Sequence, residues 1–267
     1  MSSIKGLMNL KGRRALVTGA VGGIGQEIAL TIAELGGDLL LVDIPNSNYE
    51  LIKEKISSKY TINIKCIDCN LEDEKSRQAL INQINNDNKN LNIIINNAAF
   101  VGESNLQGWV TDFENQSVET WKRALEVNLT SVFHLSQGLA KKLKTSGHAS
   151  IINMASIYGV SGPDYSLYKG TEMGNPAAYS ASKGGLIQLT KWLSTTIAPD
   201  IRVNAISPGG VFRHQPELFV KRYEAKTPLG RMATEEDFKG IIAYLSSDLS
   251  AYVTGQNIVI DGGWTVW

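Results

Sequence analysis

Apolar residues along this chain fall into short, nearly unbroken runs that alternate with stretches of helical period. Arg14-Ala15-Leu16-Val17 predicts a buried strand, and Leu39–Val42, Asn63–Ile67, Leu91–Ile95, Ser150–Met154, Ile201–Ile206 and Asn257–Ile260 bring the total to about seven. The face Ile24, Ile28, Ile32 and Leu35 predicts a helix that ends at Gly36-Gly37. Further helices are expected over 49–60, 72–86, 118–143, 176–198, 216–224 and 234–245. Apolar runs without polar alternation suit strands covered on both faces. Their alternation with helices implies an α/β fold with a doubly wound parallel sheet and helices on both faces. No linker divides the 267 residues, so a single domain is expected.

Two helices carry polar groups where apolar ones belong. In the helix predicted over 118–143 the stripe is Val118, Trp121, Leu125, Leu129, Val132, Leu135 and Leu139, and Asn128 falls beside it. A buried amide is costly unless fully hydrogen-bonded, so Asn128 is either a structural tie or part of a site. In the helix over 176–198, Leu186, Thr190, Leu193 and Ile197 form the core stripe, and Tyr179 and Lys183 lie on the same face one turn apart. The lysine either snorkels to the surface or stabilises a phenolate. Free tyrosine titrates near pH ~10, and reaching neutrality takes about 3 to 4 kcal/mol of preference for the anion, which a neighbouring ammonium in a poorly solvated cleft supplies. Tyr-x-x-x-Lys alone is a weak pattern, so its meaning depends on the rest of the chain.

The first strand leads into Thr18-Gly19-Ala20-Val21-Gly22-Gly23-Ile24-Gly25, a strand, glycine-rich turn and helix in succession. Gly19 permits the tight turn, Gly23 lets the backbone approach a pyrophosphate, and Gly25 lets the helix pack closely. The next strand ends in Asp43, eighteen residues beyond Gly25. A carboxylate there accepts hydrogen bonds from ribose hydroxyls and repels a 2′-phosphate, which favours NAD over NADP. Asn96-Asn97-Ala98-Ala99 leaves the fourth strand, and Ala155-Ser156 the fifth, at the carboxyl edge where such sheets bind ligands. The long loop from Phe100 to Gln116, with Gly102, Asn105, Gly108 and Trp109, is expected to help form a substrate pocket.

Composition narrows the partners. Lys+Arg and Asp+Glu number 26 each, which leaves no net field for a polyanion and argues against nucleic-acid or acidic-membrane binding. No stretch approaches the ~18 apolar residues of a membrane span and Met1–Arg14 lacks an apolar signal region, so a cytoplasmic protein is expected. Cys66 and Cys69 form a C-x-x-C without further cysteine ligands and are expected to be reduced structural thiols, with no metal site.

Taken together, Thr18-Gly19-x-x-x-Gly23-x-Gly25, Asn96-Asn97-Ala98, Asn128, Ser156, Tyr179-x-x-x-Lys183 and Pro208-Gly209 resemble the short-chain dehydrogenase/reductase family over essentially the whole chain. The resemblance implies a single Rossmann-type domain and a catalytic group of Asn128, Ser156, Tyr179 and Lys183. It also implies cofactor contacts from Thr18, Gly19, Gly23, Ile24, Gly25, Asp43, Asn70, Leu71, Asn97, Ala98, Pro208, Gly209 and Val211, with Tyr179 and Lys183 at the nicotinamide ribose. A homo-oligomer, dimer or tetramer, is implied as well, the tetramer built from the two long helices and the C-terminal strand region. Three positions depart from the family pattern. Ala99 replaces a glycine, Asn70 replaces an aspartate beside the adenine, and Arg213 stands where a threonine often touches the nicotinamide carboxamide.

From Ser156 to Tyr179 there are 23 steps, about ten more than the family usually needs, and long loops at a ligand edge tend to be functional. The extra stretch, within about 160–176, mixes aromatic, hydroxyl and charged groups that suit a polyhydroxylated ligand, so Tyr168 and Lys169, with Arg213 and His214, are candidate substrate contacts beside Ser156. A self-packed surface loop is the competing reading. This insertion and Val211-Phe212-Arg213-His214-Gln215-Pro216-Glu217 are similar to the family members of bacterial flagellin-modification and nonulosonate sugar pathways, which implies a sugar substrate. Tyr252-Val253-Thr254-Gly255-Gln256 and Asp261-Gly262-Gly263 also resemble NADPH-dependent 3-oxoacyl thioester reductases, against which Asp43 counts. A cofactor-binding scaffold without chemistry would tolerate loss of Ser156, Tyr179 or Lys183, and all three are present.

Overall fold

Continuous Ile, Leu and Val runs bury on both faces in the computed structural model, which describes residues 3–100 and 106–267. The strands are β1 (Arg14–Thr18), β2 (Asp38–Asp43), β3 (Ile64–Asp68), β4 (Ile93–Asn96), β5 (Ala149–Met154), β6 (Ile201–Pro208) and β7 (Asn257–Ile260). They form one sheet in the order β3-β2-β1-β4-β5-β6-β7, and every pairing is parallel. The helices are α1 (Ile4–Met8), α2 (Gly23–Glu34), α3 (Glu50–Ser57), α4 (Glu74–Asn85), α5 (Val118–Leu125), α6 (Ser131–Ser146), α7 (Ala177–Thr196), α8 (Glu217–Lys226) and α9 (Lys239–Ser246). The short α1 buries none of its side chains and so carries no stripe to read from the sequence.

Alternate residues of each strand serve opposite faces. Leu39 and Leu41 pack with Ile28, Ile32, Ile52 and Ile242 beneath α2, α3 and α9, whereas Leu40 and Val42 pack with Leu80, Ile84, Leu135 and Leu139 beneath α4 and α6. Each fully buried aliphatic side chain contributes about 1.5–3 kcal/mol. The two cysteines, three apart, fall on different faces. Cys66 packs against the first cluster and Cys69 belongs to the second. Both are free thiols that burial pushes up, as expected of structural cysteines.

The helix expected over 118–143 requires correction. It is α5 and α6 joined by a π turn, Glu126–Thr130, and the extra residue rotates everything N-terminal to it. Val118 and Trp121, placed on the core stripe by periodicity, are therefore exposed, while Thr120 and Ala124 face inward. Asn128 sits in the middle of the π turn and is buried.

Candidate active site

Because all strands are parallel, Thr18, Asp43, Asn96, Met154 and Pro208 end on one edge of the sheet. The strand order reverses between β1 and β4, which opens a crevice there. The glycine-rich turn after β1 is held in that crevice by its neighbours. Asn97 Nδ2 donates to the carbonyls of Thr18 and Gly19 at 3.0 Å each, and Thr18 Oγ1 accepts from the N–H groups of Asn97 and Ala98 at 3.1 Å. Gly19 has φ +63°, and a Cβ there would lie 2.8 Å from Ala98 Cα. A Cβ on Gly25 would come within 2.0 Å of the Gly19 carbonyl oxygen, so only glycine lets the helix start this close to its own turn. Asp43 Oδ2 accepts from the Val21 N–H at 2.9 Å and ties β2 to the same turn.

A cleft of about 590 Å³ follows the edge in sheet order. It runs from Asp43, Asn70 and Leu71, past Gly19, Gly23, Ile24, Asn97 and Ala98, to Ser156, Tyr179, Lys183, Pro208, Gly209 and Val211. Thr18 and Gly25, expected as contacts, are instead buried and shape the turn from behind. With glycines that allow the tight turn along its wall, a helix N-terminus midway and a carboxylate at the far end, the cleft suits a nicotinamide dinucleotide.

A second cavity of about 580 Å³ adjoins it, lined by Trp109, Val110, Tyr158, Glu172, Met173, Gly174, Asn175, Pro176, Pro216 and again Tyr179. Among the described residues, Tyr179 is the side chain common to both walls. Four groups act on it. Lys183 is 2% exposed, which rules out a snorkelling stem; its Nζ donates to the Met154 carbonyl at 2.8 Å and stands 5.7 Å from the centre of the Tyr179 ring. Burial pushes the Tyr179 phenol up, opposed by a hydrogen bond from the Ser156 hydroxyl and by the Arg213 cation. Arg213 is thus an opposing cation not expected from the sequence, and the Lys183 ammonium lies against the ring with its own value depressed by burial to about 8. Asn128 reaches Tyr179 through the backbone: its Oδ1 accepts from the Phe100 N–H at 2.6 Å, its Nδ2 donates to Ser182 Oγ at 3.0 Å, and that hydroxyl donates to the Tyr179 carbonyl at 2.8 Å.

The insertion divides between its two expected roles. Leu167 and Tyr168 pack against Phe219 and Tyr223 of α8, and the hydroxyls of Tyr168 and Tyr158 are hydrogen-bonded. Tyr168 is therefore a prop for Tyr158 and not a cavity wall. Lys169 is exposed and offers only its carbonyl, to Arg222. His214 is exposed beside Phe212, and Arg213 lines the first cleft rather than the second. The tail of the insertion, Glu172 to Pro176, forms the cavity wall that the sequence had suggested for Tyr168 and Lys169. Asn175-Pro176, immediately before the Tyr179 helix, was a signal for this. Trp109 and Val110 come from the long loop, whose Gly102 and Asn105 lie outside the described residues. Trp264 stacks on Tyr223 at 5.8 Å and meets Tyr158 edge-on, behind the cavity, while Trp267 is exposed. Among the described residues no helix is long and apolar enough to cross a membrane, and no three His, Cys, Asp or Glu side chains cluster to hold a metal.

A family model described as enoyl-(acyl carrier protein) reductase matches residues 19–265. The chain is 34% identical over 267 residues to a 3-oxoacyl-(acyl-carrier-protein) reductase of Rickettsia felis, covering 96% of this chain and 98% of that one. It is 28% identical over 256 residues to the post-translational flagellin modification protein A of Campylobacter coli, covering 96% and 99%. The crystal structure of a short-chain dehydrogenase from Leptospira borgpetersenii with bound NAD+ is 33% identical, with a TM-score of 0.83 over 99% of this chain and 96% of that one.

Proposed function

Because the chain belongs to the short-chain dehydrogenase/reductase family, and so to the NAD(P)-dependent oxidoreductases, we propose that it interconverts a secondary alcohol and a ketone on a sugar or sugar derivative, with NAD(H). The observation that carries this is Tyr179, which among the described residues is the one side chain shared by the walls of the dinucleotide cleft and the second cavity. Tyr179 takes the hydroxyl proton during oxidation and returns it during reduction. Ser156 holds the substrate oxygen beside that phenol. The nicotinamide, when bound, accepts or supplies the hydride. Lys183 binds the nicotinamide ribose and, alongside the ring, favours the phenolate. Asn128 steadies the turn of α7 that carries Tyr179.

Asp43 supports NAD as the cofactor, since its carboxylate lines the far end of the cleft and opposes a 2′-phosphate. Asp43→Ser should improve NADP binding at least about 10-fold, as expected for removal of a like charge at close range. An unchanged NAD/NADP ratio would remove Asp43 as the selector. Flat faces at Trp109 and Tyr158, with Glu172 and Asn175 as polar groups, favour a sugar in the second cavity. The likeness to a flagellin modification protein points the same way. Val110, Met173, Pro176 and Pro216 on the same walls favour the second reading, a 3-oxoacyl thioester. Exposed Trp121, Phe133 and Trp192 on α5, α6 and α7 support a homo-oligomer. The test of substrate is NADH absorbance with sugar phosphates, nucleotide sugars, polyols and a short 3-oxoacyl thioester, each with NAD and NADP. Sugar turnover with NAD is the expected result, and thioester reduction with NADPH would overturn both the substrate and the cofactor assignment.

A further inference from the structure

A parallel bridge between Val211 and Ala233 joins the segment after β6 to the one before α9. The Phe212 N–H donates to the Ala233 carbonyl at 2.8 Å, and the Ala233 N–H to the Gly210 carbonyl at 2.9 Å. Two residues further along these segments stand Arg213 and Glu235, so the bridge sets them level. Arg213 Nε meets Glu235 Oε1 at 3.3 Å. Both are held from behind. The Arg213 N–H donates to Gln215 Oε1 at 2.7 Å, Gln215 Nε2 donates to the Val211 carbonyl at 2.8 Å, and His214 adopts φ +58°, in the left-handed region. Glu235 lies within a capping box formed by Thr234 and Asp237, and Arg231 grips Asp237 through two contacts of 2.7 Å.

The ion pair lies on the first turn of α2. A Cβ added to Gly23 would stand 2.5 Å from Glu235 Oε1 and 3.2 Å from Arg213 Nη2. The Glu235 carboxylate therefore stands against the first turn of α2, whose N-terminus favours an anion, and the guanidinium facing it belongs to Arg213, which lines the dinucleotide cleft. We propose that Arg213 is a pyrophosphate-binding residue and that Glu235 is its internal competitor: on dinucleotide entry Arg213 exchanges the Glu235 carboxylate for the pyrophosphate. This rests on the cleft being the dinucleotide site, but not on the choice between NAD and NADP, which share the pyrophosphate. A guanidinium fork matches phosphate oxygens two at a time, which a threonine hydroxyl cannot do. The pair it leaves is part-exposed and so weak, which makes the exchange inexpensive.

The test is direct titration of the full chain and its variants with NAD and with ADP-ribose, which carries the pyrophosphate without the nicotinamide, with circular dichroism to verify folding. Arg213→Gln should weaken both ligands by a common factor of about 10- to 100-fold, as for loss of charge-assisted hydrogen bonds, and Arg213→Lys should recover part of the loss. Glu235→Gln should tighten ADP-ribose by about 2- to 5-fold, and this gain should vanish when combined with Arg213→Gln. Weakening of NAD alone would place Arg213 at the nicotinamide and overturn the proposal, as would unchanged binding by Arg213→Gln. Weaker binding by Glu235→Gln would make Glu235 a support for Arg213 and overturn the competition. Failure of the unaltered chain to bind NAD, ADP-ribose and 2′-phospho-ADP-ribose alike would remove the dinucleotide site itself, a result distinct from all of these.

Discussion

Replacing Lys183 with methionine should leave a protein that cannot turn over substrate yet is at least as stable as the original at neutral pH. The ammonium is 2% exposed, and burial depresses it from 10.5 to about 8. At roughly 1.4 kcal/mol per pH unit, that gap corresponds to about 3 kcal/mol of cost for keeping the charge inside the fold. Methionine fills a similar volume without the charge, but it leaves the Met154 carbonyl without the donor now 2.8 Å away, a loss of about 2 kcal/mol. The variant should therefore gain about 1 kcal/mol at pH 7. Below pH 8 the folded and unfolded chains both hold the proton and the full cost applies. Between about 8 and 10.5 the unfolded chain holds more protons than the folded one, so the original protein gains stability as pH rises. By the top of that window the original should be the more stable by about 2 kcal/mol. Urea unfolding of both proteins at pH 7 and pH 10 reads the difference directly, since groups common to both cancel. A variant that is clearly less stable at pH 7, by an amount that does not change at pH 10, would show that the ammonium is favourably paired in the fold and refute the reasoning.

Two further substitutions test the scaffold. Gly25→Ala would bring its Cβ within 2.0 Å of the Gly19 carbonyl, so the turn must shift, with a loss of about 1–3 kcal/mol in denaturant unfolding and of dinucleotide binding in titration. Asn128→Ala strips the Phe100 N–H and Ser182 hydroxyl of their partner and should cost about 1–3 kcal/mol in denaturant unfolding, with kcat falling more than KM rises.

The sheet was legible because its signal is local: a run such as Leu39-Leu40-Leu41-Val42 has only one comfortable setting, between two layers of helices. The glycine-rich turn was legible for the same reason, since Gly19 and Gly25 meet each other within a few residues. What was not legible depends on contacts from afar. Periodicity carried Val118 and Trp121 into the core because nothing in the sequence marks the extra residue of the π turn at Asn128. Tyr168 and Lys169 were given to the substrate because the docking of Leu167 on Phe219, which turns them away, joins segments some fifty residues apart. The pairing of Arg213 with Glu235 is set by one isolated bridge. Lys183 shows the intermediate case, in which its face was readable but its burial required the walls of the cleft.

The most direct test of the account is Tyr179→Phe, which removes one oxygen from the wall shared by the two cavities. NADH binding and substrate turnover should be measured on the same preparation. Binding within about twofold of the original with turnover abolished is the predicted result, because in the proposed mechanism the hydroxyl serves the proton transfer while the phenyl ring keeps its place in the cleft wall. Substantial residual turnover at unchanged binding would contradict it and move the acid–base chemistry away from Tyr179.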